Sequence, residues 1–140
     1  MYFDANYIVK LYLREPESDA VEQLARRADR LCSSALAIAE VHCVFLRTLR
    51  EGRISVRQCA DMTAQFGDHV KAGAWTMIPV AEDILKRTST LPVLSSQMIL
   101  RSGDAIHLLT AQKIGEPEVW TNDRHMLAAA PHFGLVGRSV

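Results

Sequence analysis

Four carboxylates stand in apolar sequence, where a solvated acid has no reason to be. Asp4 follows Tyr2-Phe3, and Glu40 lies inside the run from Ala35 to Leu46. Asp104 directly precedes Ala105-Ile106-His107-Leu108-Leu109, and Asp123 follows Val119-Trp120-Thr121-Asn122. Burying an ionised carboxylate costs several kcal/mol unless a cation or hydrogen bonds compensate it. Carboxylates gathered in one crevice repel one another unless a hard cation sits among them, and an all-oxygen ligand set selects Mg²⁺ or Mn²⁺ over zinc. No HExxH or other His-rich spacing competes with that chemistry. A carboxylate cluster holding one or two such ions is a common device for activating water against a phosphodiester. Each acid also has a plainer role open to it. Asp4 and Asp123 suit helix N-caps, Asp104 suits a first helical turn, and Glu40 could belong to a solvated stripe.

The elements that must position these acids alternate along the chain. Short apolar strands are predicted at 2–3, 31–33, 75–78, 119–121 and 135–136. Helical spacing predicts helices over 6–14, 16–28, 35–51, 56–72, 80–91, 102–114 and 123–130, with a looser stretch from Pro92 to Gln97. Ser34 and Ser55 are placed to cap helices, and Gly52, Gly73 and Gly115 to end them. This alternation predicts an α/β fold: three α/β/α layers around a mainly parallel sheet of four or five strands. There is no internal repeat, linker or low-complexity run, so a single domain is expected over residues 1–140. In such sheets ligands sit beyond the carboxyl ends of the strands, near the point where strand order reverses. Asp4 and Asp123 end predicted strands, while Glu40 and Asp104 lie near the starts of helices, so one crevice can collect all four.

The chain has 140 residues, 49% hydrophobic and 23% charged, which suits an ordered globular domain and excludes disorder or a disulfide-rich miniprotein. Sixteen basic residues balance 16 acidic ones, so a strongly basic nucleic-acid coat is excluded and a local basic face is not. Setting the four acids aside leaves 16 basic against 12 acidic side chains, a net of +4. Arg47, Arg50 and Arg53 recur at three-residue spacing beside Glu40, either a solvated face that pairs with Glu51 or, if it flanks the crevice, a stripe that would guide a nucleic-acid backbone. Cys32, Cys43 and Cys59 form no CxxC and read as reduced packing cysteines. His42, His107 and His125 lie near the acids but read as packed or capping histidines, and Trp75 and Trp120 as core. No apolar run approaches a membrane span and no leader pattern opens the chain, so a cytoplasmic protein is expected.

The ordered set of motifs resembles the PIN-domain ribonucleases of the VapC-like toxin branch. The matching stretches are Met1-Tyr2-Phe3-Asp4-Ala5-Asn6, Ala37-Ile38-Ala39-Glu40-Val41, Leu100-Arg101-Ser102-Gly103-Asp104-Ala105-Ile106-His107-Leu108 and Trp120-Thr121-Asn122-Asp123-Arg124. The resemblance implies an acidic quartet of Asp4, Glu40, Asp104 and Asp123 holding Mg²⁺ or Mn²⁺. Asp4 and Asp104 would be the firmest ligands, Asp123 direct or through water, and Glu40 would hold a second ion or orient the attacking water. Thr121 and Asn122 would hold the loop or contact the scissile phosphate. Metal-activated water would cut RNA to leave a 5′-phosphate and a 3′-hydroxyl. Arg47, Arg50, Arg53, Arg101 and Arg124 are the candidate RNA contacts. The resemblance also implies a homodimer and a small antitoxin partner. Asn6 departs from the Ser or Thr of many relatives, although its amide can still orient the Asp4 carboxylate. The alternative is a catalytically inert module of the same fold, acting through a protein or RNA partner. A phospho-acceptor receiver would want an acidic pair after its first strand and a late Lys. A dehalogenase-type phosphatase would want Asp-x-Asp where this chain has Asp4-Ala5-Asn6.

Overall fold

A computed structural model describes residues 1–91 and 99–140, and the looser stretch expected over 92–97 lies outside them. The sheet grows from a two-residue strand, β1 (Tyr2–Phe3), in which both side chains are fully buried. Successive strand residues point to opposite faces, so this pair serves two cores at once. Phe3 packs with Tyr7, Ile8, Val41, Phe45 and Trp75 on one face. Tyr2 packs with Cys32, Ile84, Leu108, Val119 and Met126 on the other. Three layers follow from that division.

After β1 come α1 (Ala5–Val9), α2 (Ser18–Arg26), β2 (Cys32–Ser34), α3 (Leu36–Arg50), α4 (Val56–Lys71) and β3 (Thr76–Ile78). The second half adds α5 (Glu82–Arg87), α6 (Ser102–Lys113), β4 (Glu118–Trp120), α7 (Arg124–Ala129) and β5 (Val136–Arg138). The five strands lie in the order β3-β2-β1-β4-β5, and every neighbouring pair is parallel. The chain steps outward from β1 through β2 to β3, then returns to the other side of β1 for β4 and β5. Strand order therefore reverses between β1 and β4, the place where this sheet type opens a crevice. The register pairs Phe3 with Trp120, which brings Asp4 and Thr121 level at the carboxyl edge.

Several boundaries differ from the sequence expectation for local reasons. α1 stops at Val9 because the chain tightens: Leu11 N–H donates to Ile8 O and Tyr12 N–H to Val9 O, each three residues back. Lys10 then ties down the following loop by donating to Pro16 O and to Glu17, whose backbone is left-handed at φ 65°. α2 consequently starts at Ser18 rather than Pro16. α5 ends at Arg87 and gives way to a 3₁₀ turn at Thr88–Thr90. There the hydroxyls of Thr88, Ser89 and Thr90 each donate to a carbonyl three residues back, competing with helix propagation. Ser34 ends β2 and is not the cap expected of it: α3 starts at Leu36 with Ala35 as its N-cap, and Ser34 Oγ accepts the Leu36 N–H at 3.2 Å from one residue further back. Ser55 caps α4 through a reciprocal box with Gln58. Among the described residues no helix is long and apolar enough to cross a membrane.

Candidate active site

Asp4, Glu40, Asp104 and Asp123 line one cleft of about 390 Å³ at the carboxyl edge of the sheet. They reach it from four places: the end of β1, the middle of α3, the first turn of α6, and the link between β4 and α7. Asp4 is 3% exposed. Its Oδ1 accepts the Tyr7 N–H at 2.8 Å and its Oδ2 accepts the Thr121 hydroxyl at 2.6 Å. Burial pushes the Asp4 carboxyl above its ordinary range; the Thr121 and Tyr7 hydrogen bonds oppose that shift, and the Glu40 charge adds to it. Thr121 Oγ1 also accepts the Asp123 N–H at 2.9 Å, so one hydroxyl joins the ends of β1 and β4. Asp123 Oδ1 caps α7, accepting from His125 N–H at 2.7 Å and Met126 N–H at 3.0 Å. Asp104 Oδ2 accepts the Arg101 N–H at 3.3 Å, and burial raises this carboxyl too, with the Asp123 charge adding. Glu40 Oε2 lies 2.8 Å from His107 Nε2.

Capping and cleft lining thus coexist in Asp4 and Asp123. A carboxylate offers about four lone-pair sites, and a cap occupies only one or two of them. Asn6 lines the cleft but holds no bond to Asp4 among the described residues. Asp4 is the N-cap, and the donors that reach it are the backbone of Tyr7, three residues on, and the Thr121 hydroxyl. Asn122 turns away from the cleft: its Oδ1 accepts the Tyr7 hydroxyl at 3.0 Å and its Nδ2 donates to Glu17 at 3.1 Å. That side chain braces the loop from behind. Arg47 and Arg101 line the cleft. Arg50, Arg53 and Arg124 do not, and the expected stripe is broken because α3 ends at Arg50 and the chain turns at Gly52, φ 71°. Arg53 instead pairs with Glu51 and lines a separate groove with Tyr12 and Gln58.

His42 and His125 stand off the cleft, and His107 is the histidine that matters there. It is packed, as expected, yet bonded to Glu40, a pairing that depends on how α3 and α6 meet and that spacing alone does not show. Gly103 is a second such residue, since a Cβ added to it would sit 2.8 Å from Glu40 Oε1. Cys43 also departs from expectation, being exposed on the cleft wall, while Cys32 and Cys59 are buried. Burial and the nearby Glu116 charge push the Cys32 thiol up to about 11. A maleimide at about pH 8 is therefore expected to modify Cys43 first and Cys32 last, because the thiolate is the reactive form. Peptide mass mapping checks the order, and faster labelling of Cys32 would contradict this placement.

The donor set can be tested for its fit to a divalent cation. The four carboxylates are hard oxygen ligands, and two of them titrate high through burial, with a neighbouring carboxylate adding in each case. A hard cation relieves that arrangement. Among the described residues, no three His, Cys, Asp or Glu side chains are grouped closely enough to hold a metal ion by themselves. Mg²⁺ does not need such a group, because it keeps several waters and is commonly held by one or two carboxylates plus substrate phosphate. The residues fit such an ion in donor chemistry.

Residues 1–131 match the PIN domain family. The chain is 35% identical to Ribonuclease VapC46 of Mycobacterium tuberculosis over 96% of its own length and 93% of that protein's. It is 28% identical to Ribonuclease VapC45 of the same species, covering 93% and 90% of the two chains. In fold it is similar to the crystal structure of M. tuberculosis VapC20, a sarcin-ricin loop cleaving toxin, with a TM-score of 0.69, 14% identity and coverage of 91% and 93%. It is also similar to a VapBC2 structure from Rickettsia felis bound to a promoter DNA fragment, with a TM-score of 0.68, 15% identity and coverage of 99% and 97%. The expected three-layer fold and its parallel sheet are those of these neighbours. Matched along nearly its whole length in sequence, and carrying its acids at the switch point of that sheet, the chain belongs to the PIN-domain family, in its branch of VapC-like ribonucleases.

Proposed function

We propose that the protein is a metal-dependent endoribonuclease, the toxin of a toxin–antitoxin pair, which hydrolyses RNA phosphodiesters through the acidic cleft. The observation that carries this reading is the convergence of Asp4, Glu40, Asp104 and Asp123 on one cleft at the switch point. Asp4, Asp104 and Asp123 would hold Mg²⁺ or Mn²⁺, with Glu40 at a second ion or on the attacking water. Such an ion supplies water that is nucleophilic near neutral pH and positive charge against the phosphate. The protein's own share is orientation. Tyr7 and Thr121 fix the Asp4 carboxylate, the α7 cap fixes Asp123, and Arg101 N–H fixes Asp104. Water attacks phosphorus, the 3′ oxygen leaves and takes a proton, and the products carry a 5′-phosphate and a 3′-hydroxyl. The same acidic pocket would attract an Arg from the antitoxin. A homodimer accords with the resemblance to VapC-like toxins.

The test is digestion of total cellular RNA by purified, antitoxin-free protein in Mg²⁺ or Mn²⁺, beside EDTA and Asp104→Asn controls. Discrete fragments that vanish in both controls support the reading. Cleavage that persists in EDTA would refute the metal requirement. The inert-module alternative draws on the lack, among the described residues, of any group of three His, Cys, Asp or Glu side chains close enough to hold a metal ion; it gains if neither cleavage nor Mn²⁺ binding is found. A further expectation separates the arginines. In an Asp4→Asn background that does not cut, Arg47→Ala or Arg101→Ala should weaken RNA binding and lower the salt slope by about 1 each. Arg53→Ala should leave both unchanged, because Arg53 faces another groove. Filter binding across a KCl series reads all three.

A further inference from the structure

His107 lies three residues beyond Asp104 on α6 and is 2% exposed. Both ring nitrogens are engaged: Nε2 lies 2.8 Å from Glu40 Oε2, and Nδ1 lies 2.9 Å from the hydroxyl of Tyr2, which is itself fully buried. The Tyr2 oxygen accepts the Ser34 N–H at 2.9 Å. The Glu40 carboxylate can only accept, which calls for a proton on His107 Nε2, and the Tyr2 hydroxyl can donate to Nδ1. A neutral imidazole accepting at Nδ1 carries its proton on Nε2 and presents it to the Glu40 carboxylate. Ser34, Tyr2, His107 and Glu40 thus form one hydrogen-bonded chain across the buried side of the sheet. On the other side of the carboxylate, Oε1 meets the backbone of α6 at Gly103, where an added Cβ would come within 2.8 Å.

We infer that His107 is a positioning residue for Glu40, holding its carboxylate in one orientation at the cleft through an Nε2–H donor. The inference rests on the ribonuclease reading of the cleft. A glutamate side chain left free loses conformational entropy each time it is needed, and a fixed donor removes that cost beforehand. Asp4 and Asp123 have comparable anchors in the Thr121 hydroxyl and the α7 amides; His107 is the anchor for the one site acid that comes from mid-helix.

Three measurements test it. In metal-free, ¹⁵N-histidine-labelled protein, the long-range ¹H–¹⁵N spectrum should show His107 as the Nε2–H tautomer; the Nδ1–H tautomer would overturn the proposal. His107→Leu should weaken Mn²⁺ binding and RNA cleavage about 10- to 100-fold, the usual effect of losing such a partner. His107→Gln, which places an amide N–H near the lost Nε2, should recover most of that loss. The cycle with Glu40→Ala distinguishes positioning from simple packing: the double variant should be no weaker than Glu40→Ala alone. Additive losses, or a Gln variant no better than Leu, would overturn the proposal. Thermal unfolding confirms that each variant folds, and Tyr2→Phe replaces His107→Leu if that one does not. A protein with the expected tautomer and Mn²⁺ coupling but no RNA cleavage would retire the ribonuclease reading and keep the positioning role. Cleavage with additive losses would do the reverse.

Discussion

Replacing Asp4 with Asn is expected to slow RNA cleavage about a thousandfold, because losing the metal ligand that we propose Asp4 to be would cost several kcal/mol and each 1.36 kcal/mol is tenfold in rate. Asp4 is the most buried of the four acids, and each of its two oxygens accepts a hydrogen bond. The substitution spares the fold. An Asn Oδ1 can still accept the Tyr7 N–H that starts α1, and the Thr121 hydroxyl can rotate to accept from the new amide. Single-turnover cleavage in Mn²⁺ with a circular dichroism control gives the answer, and wild-type rates would remove Asp4 from the reaction.

The same variant makes a prediction about pH. Burial raises the folded-state pKa of Asp4, so the folded protein binds this proton more tightly than the unfolded chain does. The resulting stability is fully present below the ordinary carboxylate range and is lost as pH rises through the raised value. Above that raised value the metal-free wild type therefore carries a buried charge. Asp4→Asn has no such proton to lose. In urea it should match or exceed the metal-free wild type at about pH 7, and that advantage should shrink as the pH falls toward about 4. Adding Mn²⁺ should close the neutral-pH gap by stabilising the wild type alone. An advantage that grows toward acid pH would contradict the direction assigned to Asp4.

Asp4, Glu40, Asp104 and Asp123 were legible because each interrupts an apolar run, and chain order placed two of them at strand ends. Strand alternation likewise made the parallel sheet readable, although β1 has only two residues. Contacts between distant elements were not readable. The bond from His107 to Glu40 spans 67 residues and exists only because α6 passes close to α3 at Gly103. Asn122 sits beside Asp123 in sequence yet faces Tyr7 and Glu17, since the chain turns over between β4 and α7. The helix expected over 6–14 failed on turn chemistry, where Lys10 bridges to Pro16 and Glu17 instead of extending the helix. Arg53 failed for a similar reason, lying just past a glycine turn that ends the helix of Arg47 and Arg50.

Thr121 is where fold and chemistry meet most tightly, and Thr121→Val should damage both. The hydroxyl is fully buried, donates to Asp4 Oδ2 at 2.6 Å and accepts the Asp123 N–H at 2.9 Å. Valine keeps the volume and removes both bonds. The Asp123 N–H loses its acceptor and a desolvated carboxylate loses its strongest opposing hydrogen bond, a cost of about 1–3 kcal/mol in stability. Cleavage should fall about 100-fold, the upper end for groups that orient metal ligands, because Asp4 and Asp123 no longer share an anchor. Thr121→Ser separates the two effects. It keeps the hydroxyl and should cleave within a few-fold of wild type, while the lost methyl costs stability by about 1 kcal/mol. Urea unfolding and single-turnover cleavage, run on both variants, read the two consequences independently. If Val loses stability but cleaves like Ser, the hydroxyl only holds β1 to β4, and the spacing of the two carboxylates must be set by the strand register alone. If Val loses cleavage well beyond Ser, the hydroxyl is what turns that register into a working distance between Asp4 and Asp123.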